Sequence, residues 1–218
     1  MRRFLIILSA LTVTLIMTAC NIRNGAETGG SEVQNGAENG VGNGDENGNE
    51  PLLEKYTVII DVEEYGEITL ELDPNAAPIT VANFIGLVRD GFYDGLSFHR
   101  IMEGFMIQGG CPHGNGTGGS PETIVGEFAA NGIENNIDHV RGVISMARTF
   151  DPNSASSQFF IVQENSPLLN GEYAGFGHVI TGMEIVDAIA ANTPVGSEAT
   201  GEVFRADQPR IASIRVVE

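Results

Sequence analysis

Residues 51–218 predict a mainly β fold: an eight-stranded antiparallel β-barrel, closed or nearly closed, capped by two α-helices. Three observations predict it. Short runs rich in β-branched and aromatic residues recur between Gly-rich turns. Only two segments space their apolar residues as a helix does. These two segments lie far apart in the chain, so alternating βαβ units with a parallel sheet do not fit.

The strands are predicted from high β propensity and from the turns that separate the runs. The first two runs surround a turn at Glu64-Tyr65-Gly66, so the domain opens with a hairpin. The eight runs are residues 56–62, 67–72, 97–101, 105–108, 142–146, 158–162, 176–180 and 210–217.

The helices are predicted from apolar spacing and from residues that begin or end helices. Pro78 suits the first turn of one helix, and Gly91 suits its end. The second helix is predicted near residues 183–191, shortly before the last strand. The apolar face of the first helix would consist of Val81, Phe84, Ile85 and Val88.

The first twenty residues predict a targeting segment outside the fold. Arg2 and Arg3 precede an apolar run at residues 4–17, which is shorter than the roughly 20 residues that a membrane-spanning helix needs. The sequence LIMTAC, which ends at Cys20, resembles the lipobox of bacterial lipoproteins, although Met17 stands where Leu is usual. In such proteins the Cys carries lipid as the first residue of the mature chain. An ordinary cleaved signal peptide with a chance Cys is the alternative.

The chain therefore divides into a signal peptide at 1–20, a tether at 21–50 and one domain at 51–218. The tether is acidic, rich in Gly and Asn, and has almost nothing to bury, so we expect it to be disordered. Lipid on Cys20 would anchor the protein to the bacterial cell membrane, facing the extracytoplasmic side.

Composition excludes several classes of function. The formal net charge is −18, and Lys55 is the one Lys of the domain, so nucleic acid is not expected as a partner. With Cys20 lipidated, Cys111 is the remaining thiol, which leaves no intrachain disulfide and no Cys cluster for a metal. We expect no metal and no cofactor.

Five motifs follow one another across residues 55–217. They are FHRI with GFMIQGG within residues 98–110, NGTGG at 115–119, SMA at 145–147, SQFFI at 157–161 and FG at 176–177. Their order and spacing resemble those of cyclophilins, and five motifs in register are far more specific than one. The resemblance implies a barrel fold and peptidyl-prolyl cis-trans isomerase activity on X-Pro bonds. With the predicted signal peptide, the expected substrates are exported proteins, whose folding it would assist.

Arg100 is the residue that this chemistry needs most. Rotation breaks no bond, but the twisted amide leaves a lone pair on the proline nitrogen, which a charged donor can stabilise. A guanidinium is always charged and presents several donors. Strand alternation would put Arg100 on one face with Phe98, opposite His99 and Ile101. The competing interpretation is a surface Arg paired with Glu103.

The resemblance assigns the proline pocket to Phe105, Met106, Phe160 and Leu169, although each of them alone would more often be a core residue. Gln108 corresponds to the polar wall that orients the substrate backbone.

Further residues are assigned to peptide contacts. The backbone of Ala147 and Arg148 should pair with the peptide as a strand would. Arg148 stands where many relatives have Asn, which predicts an altered preference at residues flanking the proline. Leu168 stands where the best-known cyclophilins have a Trp, and Tyr173 stands where they have a His at the pocket rim. We therefore expect weak binding of cyclosporin, the family's cyclic peptide inhibitor.

Other functions have weaker support. Residues 114–119 satisfy G-x-G-x-x-G, but Ser120-Pro121 follows instead of an apolar helix, which argues against dinucleotide binding. No G-x-S-x-G surrounds a serine, and His99 with Glu103 lacks the partners of a zinc site. The remaining alternative is a tethered, non-catalytic proline-peptide binder or chaperone. Either way the expected partners are proline-containing unfolded or folding polypeptides, bound by a monomeric domain.

Overall fold

The computed structural model describes residues 53–217, so the predicted signal peptide, Cys20 and the tether lie outside the described residues. This part of the chain forms eight strands and two α-helices. None of its helices is both long and apolar enough to cross a membrane. In chain order the elements are β1 (Tyr56–Val62), β2 (Gly66–Leu72), α1 (Pro78–Arg89), β3 (Phe98–Met102), β4 (Met106–Gly109), β5 (Val143–Met146), β6 (Phe159–Val162), β7 (Gly175–Thr181), α2 (Met183–Asn192) and β8 (Ile211–Val217).

The strands form one antiparallel sheet in the order β3-β4-β6-β5-β7-β2-β1-β8. The two ends of this order approach each other at the segments that begin β3 and β8. There the Phe98 N–H donates to the Pro209 carbonyl at 3.0 Å, and the Ile211 N–H donates to the Leu96 carbonyl at 2.8 Å. The sheet therefore curls into a nearly closed antiparallel barrel, and the predicted fold class is confirmed.

Helix α1 begins and ends as its sequence predicts. Pro78 occupies the first turn, where its missing N–H is not needed. Gly91 has φ +67° and directly follows the cap residue Asp90, a conformation in which a Cβ would be strained. The predicted apolar face is confirmed, because the buried residues of the helix are Thr80, Val81, Phe84, Ile85 and Val88.

The buried side chains form two separate clusters. The larger one, the inner core, fills the barrel beneath α1 and α2 and has aromatic rings at its centre. The smaller one, the outer cluster, lies on the other face of the sheet around Met106, Val143, Phe160 and Val162. Strand β6 alternates between them, because Phe159 belongs to the inner core and Phe160 to the outer cluster.

Strand β3 interrupts the predicted alternation. Phe98 pairs with Gly109 and Arg100 pairs with Gln108, so His99 is an additional residue opposite the β4 partners. A bulge of this kind shifts the following residues to the other face of the strand. Phe98 is fully buried in the inner core, whereas Arg100 is half-buried and lines the outer face. The prediction that Phe98 and Arg100 share a face is therefore wrong.

Candidate active site

A cleft of about 420 Å³ opens on the outer face of the sheet, above the outer cluster. It brings together every catalytic and peptide-contact residue predicted from the sequence except Leu168. Leu168 lies in a short 3₁₀ turn and is 91% exposed, so its assignment to peptide contacts stays a prediction. The residues that line the cleft are Arg100, Phe105, Met106, Gln108, Ala147, Arg148, Phe160, Leu169 and Tyr173.

The sheet register places the central residues in one row. Arg100 on β3 pairs with Gln108 on β4, Gln108 pairs with Phe160 on β6, and Phe160 pairs with Ser145 on β5. Directly paired residues in an antiparallel sheet project from the same face. A charged donor, an amide and an aromatic ring therefore stand side by side across three strands.

The side chain of Arg100 is held by several acceptors. Its Nε donates to the Thr200 carbonyl at 2.8 Å, and Nη1 donates to Gln108 Oε1 at 3.2 Å. Nη2 lies 3.0 Å from the sulfur of Met102. Partial burial lowers the pKa of Arg100 and the nearby Tyr173 opposes that shift, but a guanidinium stays charged at neutral pH. Among the described residues Arg100 forms no ion pair with Glu103, so the competing interpretation has no support.

The contact with Thr200 comes from a segment that the sequence analysis did not assign to the site. Residues 201–203 run along the free edge of β3, where the Ile101 N–H donates to the Gly201 carbonyl at 2.7 Å. Gly201 has φ +70°, and a Cβ there would collide with the Ile101 carbonyl and Met102. Glycine thus permits the close approach that brings the Thr200 carbonyl to Arg100. No motif in the sequence indicates this contact.

Gln108 is fixed by a second amide, Gln158. The Nε2 of Gln108 donates to Gln158 Oε1 at 3.0 Å. In turn the Nε2 of Gln158 donates to the carbonyls of Gly116 and Gly118 at 3.0 and 2.6 Å. The Gly-rich run at 114–119 is thus a loop that orients the polar wall of the cleft, and no helix follows it. The structure gives no support to dinucleotide binding.

The aromatic wall of the cleft rests on a buried histidine. The ring of Phe160 stacks on His139 with centroids 6.1 Å apart, and His139 Nε2 is hydrogen-bonded to Ser145 Oγ at 2.9 Å. Burial lowers the pKa of His139, outweighing the opposing effects of Asn170 and Asp138, so the ring is neutral when it supports Phe160. His139 and Ser145 were not among the predicted site residues, because a lone buried histidine has no distinctive pattern in the sequence.

His99 is buried beside the cleft. It is 4% exposed, a Cβ on Gly116 would be 3.5 Å from its Nε2, and neither ring nitrogen has a hydrogen-bond partner among the described residues. Burial, followed by the charge of Arg100, lowers the pKa of His99 to about 4. The ring is therefore neutral at physiological pH.

Cys111 lies behind the Gly-rich loop and does not line the cleft. Its side chain is buried, and its sulfur accepts from the Gly118 N–H at 3.3 Å. Burial alone would raise the pKa of this thiol, but the backbone N–H groups of Asn115, Gly118, His113 and Gly116 together outweigh burial and lower it.

A second, wider cleft of about 640 Å³ continues beyond Gln108, between the Gly-rich loop and the loop that follows β5. At the junction of the two clefts, the backbone N–H and C=O of Arg148 have no hydrogen-bond partner within residues 53–217. The N–H of Ala147, in contrast, donates to the Gln158 carbonyl at 2.9 Å. Arg148 thus offers a free edge to which an extended peptide could pair.

A fixed guanidinium beside a cleft with an aromatic and aliphatic wall, with a free backbone edge next to it, is the arrangement expected of a protein that binds extended peptides. The family described as cyclophilin type peptidyl-prolyl cis-trans isomerase/CLD matches residues 57–216, and the chain belongs to this family. The protein is accordingly a peptidyl-prolyl cis-trans isomerase.

The chain is similar to individual proteins that are named as peptidyl-prolyl cis-trans isomerases. Peptidyl-prolyl cis-trans isomerase B of Bacillus subtilis (strain 168) is 50% identical over 123 residues, which cover 56% of this chain and 82% of the relative. The crystal structure of a cyclophilin type peptidyl-prolyl cis-trans isomerase of Cryptosporidium parvum has a TM-score of 0.67 and 32% identity, and covers 76% of this chain and 99% of its own. A structure of that protein in the presence of the dipeptide Ala-Pro has a TM-score of 0.65 and 32% identity, and covers 74% of this chain and 99% of its own.

Proposed function

We propose that this isomerase catalyses rotation about X-Pro bonds of exported polypeptides and so assists their folding. In this proposal, lipid on Cys20 anchors the protein to the bacterial cell membrane and the tether holds the domain on the extracytoplasmic side. The observation that carries the catalytic part is the guanidinium of Arg100, which is fixed at the wall of an apolar cleft. The lipobox-like sequence before Cys20 carries the anchoring part.

The reaction requires stabilisation of a twisted amide. An X-Pro bond rotates over tens of seconds because conjugation gives a barrier of about 18 to 20 kcal/mol. A turnover of roughly 10 to 1,000 per second requires a reduction of about 4 to 7 kcal/mol. A charged donor that is already oriented in a poorly solvated site can supply much of that.

Each group would have a separate task. Phe105, Met106, Phe160 and Leu169 would hold the pyrrolidine ring, and the Arg148 backbone would pair with the peptide. Gln108 would orient a peptide carbonyl. Arg100 would donate to the proline nitrogen, whose lone pair becomes available only when the bond is twisted. Because this donation is weak in either planar isomer, it lowers the barrier instead of only tightening binding.

The decisive test of the Arg100 role compares Arg100→Ala and Arg100→Lys with the wild type, using the purified full-length protein and a proline tetrapeptide. We expect kcat/KM to fall at least about tenfold in both variants, because neither retains the guanidinium fork. Glu103→Gln is the matched control, since Glu103 is exposed on the adjacent turn and has no ion pair with Arg100. Activity of Arg100→Ala within about threefold of wild type would remove Arg100 from the mechanism.

The non-catalytic alternative is tested by the same preparation. A protein that binds the peptide but leaves its isomerisation rate unchanged would be a binder or chaperone. Line-shape analysis of both isomers by NMR measures binding and exchange together, so the two functions are separated in one experiment.

The anchor is tested with labelled lipid and cell fractionation. We expect label on the wild type and on Cys111→Ser, and none on Cys20→Ala, which should leave the membrane fraction. The Cys111 variant controls for labelling of any thiol. Firm membrane retention of Cys20→Ala would contradict the proposed anchor.

A further inference from the structure

The side chain of Arg148 is enclosed by two aromatic rings. Its guanidinium carbon lies 4.9 Å from the ring centroid of Phe128 and 4.8 Å from that of Tyr173. Only 14% of the side chain is exposed. A guanidinium between two rings gains cation–π attraction on both of its faces, and the attraction is larger where water is excluded.

The edges of the same guanidinium are occupied by oxygen acceptors. Its Nε donates to the Glu172 carbonyl at 3.0 Å, and Nη1 donates to the Thr149 carbonyl at 2.9 Å. Nη2 lies 3.4 Å from the Glu172 carboxylate. All three nitrogens therefore have an acceptor, so the side chain cannot turn towards a bound peptide without losing these contacts.

Tyr173 transmits this arrangement to the proline pocket. Its ring meets Phe160 edge to face, with centroids 5.7 Å apart and an interplanar angle of 86°. Both rings line the cleft, whereas Phe128 is 2% exposed and does not. Phe128, Arg148, Tyr173 and Phe160 thus form a continuous row of contacting side chains from a buried anchor to the pocket wall.

We infer that Arg148 is a positioning residue, which holds Tyr173 against Phe160 and so sets the shape of the proline pocket. This inference rests on the proposed function. Its side chain does not select substrates by charge, which differs from the altered flanking preference expected from the sequence. The contacts require a planar cation with a donor fork, so Asn is too short and Lys has no flat surface to stack.

The kinetic test uses the full-length protein with Arg148→Ala, Arg148→Lys, Tyr173→Ala and the double variant Arg148→Ala/Tyr173→Ala. We expect KM to rise about three- to tenfold in both Arg148 variants, with kcat within about twofold of wild type, because the pocket loses its shape but keeps the Arg100 donor. In the Tyr173→Ala background, Arg148→Ala should change KM by less than about 1.5-fold, since its target is already absent.

Peptides with Glu, Ala or Lys before the proline separate positioning from charge recognition. We expect Arg148→Ala to raise KM by the same factor for all three. A factor that depends on the peptide charge, or a full further loss in the Tyr173→Ala background, would overturn the inference.

A spectroscopic test does not depend on catalysis. The chain has 4 Tyr and no Trp, so 3-fluorotyrosine gives few signals, and Tyr173→Phe identifies the one from Tyr173. We expect Arg148→Ala to move the Tyr173 signal and leave the other three in place. Arg215→Ala is the control. Arg215 is an exposed Arg on β8 that is paired with Glu67 on β2, and neither residue lines the cleft.

An unmoved Tyr173 signal in Arg148→Ala would overturn the inference whatever the activity. A wild type without isomerase activity would overturn the proposed mechanism, and the fluorine spectrum would still decide whether Arg148 holds Tyr173.

Discussion

The two apolar clusters of this protein meet at strand β6, and neighbouring residues of that strand have opposite tasks. Phe159 contacts the rings of Phe84, Tyr93 and Phe98 inside the barrel. Phe160 faces outward, between a buried histidine and the rim of the cleft. The inner core is closed on every side, whereas the outer cluster leaves one side open for a ligand. The same residue type therefore stabilises the fold where other side chains cover it and forms part of a site where one side stays open.

The largest expected effect comes from exchanging each Phe for Ala. Phe159→Ala should lower the free energy of unfolding by about 3 to 5 kcal/mol, because it leaves a cavity among rings that cannot collapse. Phe160→Ala should lower it by about 2 kcal/mol, since the lost ring already borders an open cleft, while KM should rise about tenfold or more. Urea denaturation and peptide kinetics measure the two quantities. Equal losses of stability would remove the distinction between the clusters.

A second prediction separates stability from catalysis by pH. Because the pKa of His99 is about 4 in the folded protein and about 6.5 in the unfolded chain, only the unfolded chain takes up this proton between these values. The free energy of unfolding should therefore fall as pH decreases from about 6.5 to 4, by at most about 3 kcal/mol from this residue. His99→Gln removes the titration, and its stability should fall less over the same range. If the free energy of unfolding fell equally in the wild type and the variant over this range, His99 would not be the titrating group.

A third prediction concerns the exposed rim of the outer cluster. Cyclosporin should inhibit weakly, and Leu168→Trp should strengthen inhibition by roughly tenfold, because an indole adds flat apolar area and an N–H donor. Leu168 is 91% exposed, so the exchange should leave the unfolding free energy nearly unchanged. Inhibition constants that agree for the two forms would show that the rim does not contribute.

The smallest expected effect is the absence of a pH response in catalysis. For a peptide without ionisable side chains, kcat/KM should vary by less than about twofold between roughly pH 5.5 and 8.5, because no group in the mechanism exchanges a proton there. Arg100 stays charged, His99 stays neutral because its pKa is about 4, and burial lowers the pKa of His139. Cys111→Ser and alkylation of Cys111 should leave the profile unchanged. A bell-shaped curve with tenfold limbs inside this window would indicate acid-base chemistry and contradict amide rotation without proton transfer.

Much of the fold could be predicted because its signals are local. The predicted strand ends differ from the observed ones by at most one residue, because strand pairing, and not propensity, decides where a strand ends. Pro78 and Gly91 bounded the first helix correctly, because each restricts its own backbone. The cleft also contains nine of the ten catalytic and peptide-contact residues predicted from the sequence, all but Leu168, because a motif records side chains that share a strand or a turn.

Alternation and motif order within short segments were enough to predict the fold class, the family and Arg100 as the donor of the proposed mechanism. The direction in which the Arg100 side chain points depends on tertiary contacts. The bulge at His99 moves Arg100 away from the face of Phe98, and the Thr200 carbonyl, 100 residues further along the chain, fixes its Nε. The same holds for the enclosure of Arg148 by Phe128 and Tyr173. Such contacts depend on how the sheet curls and where distant loops cross it, and residue spacing along a strand contains no information about either.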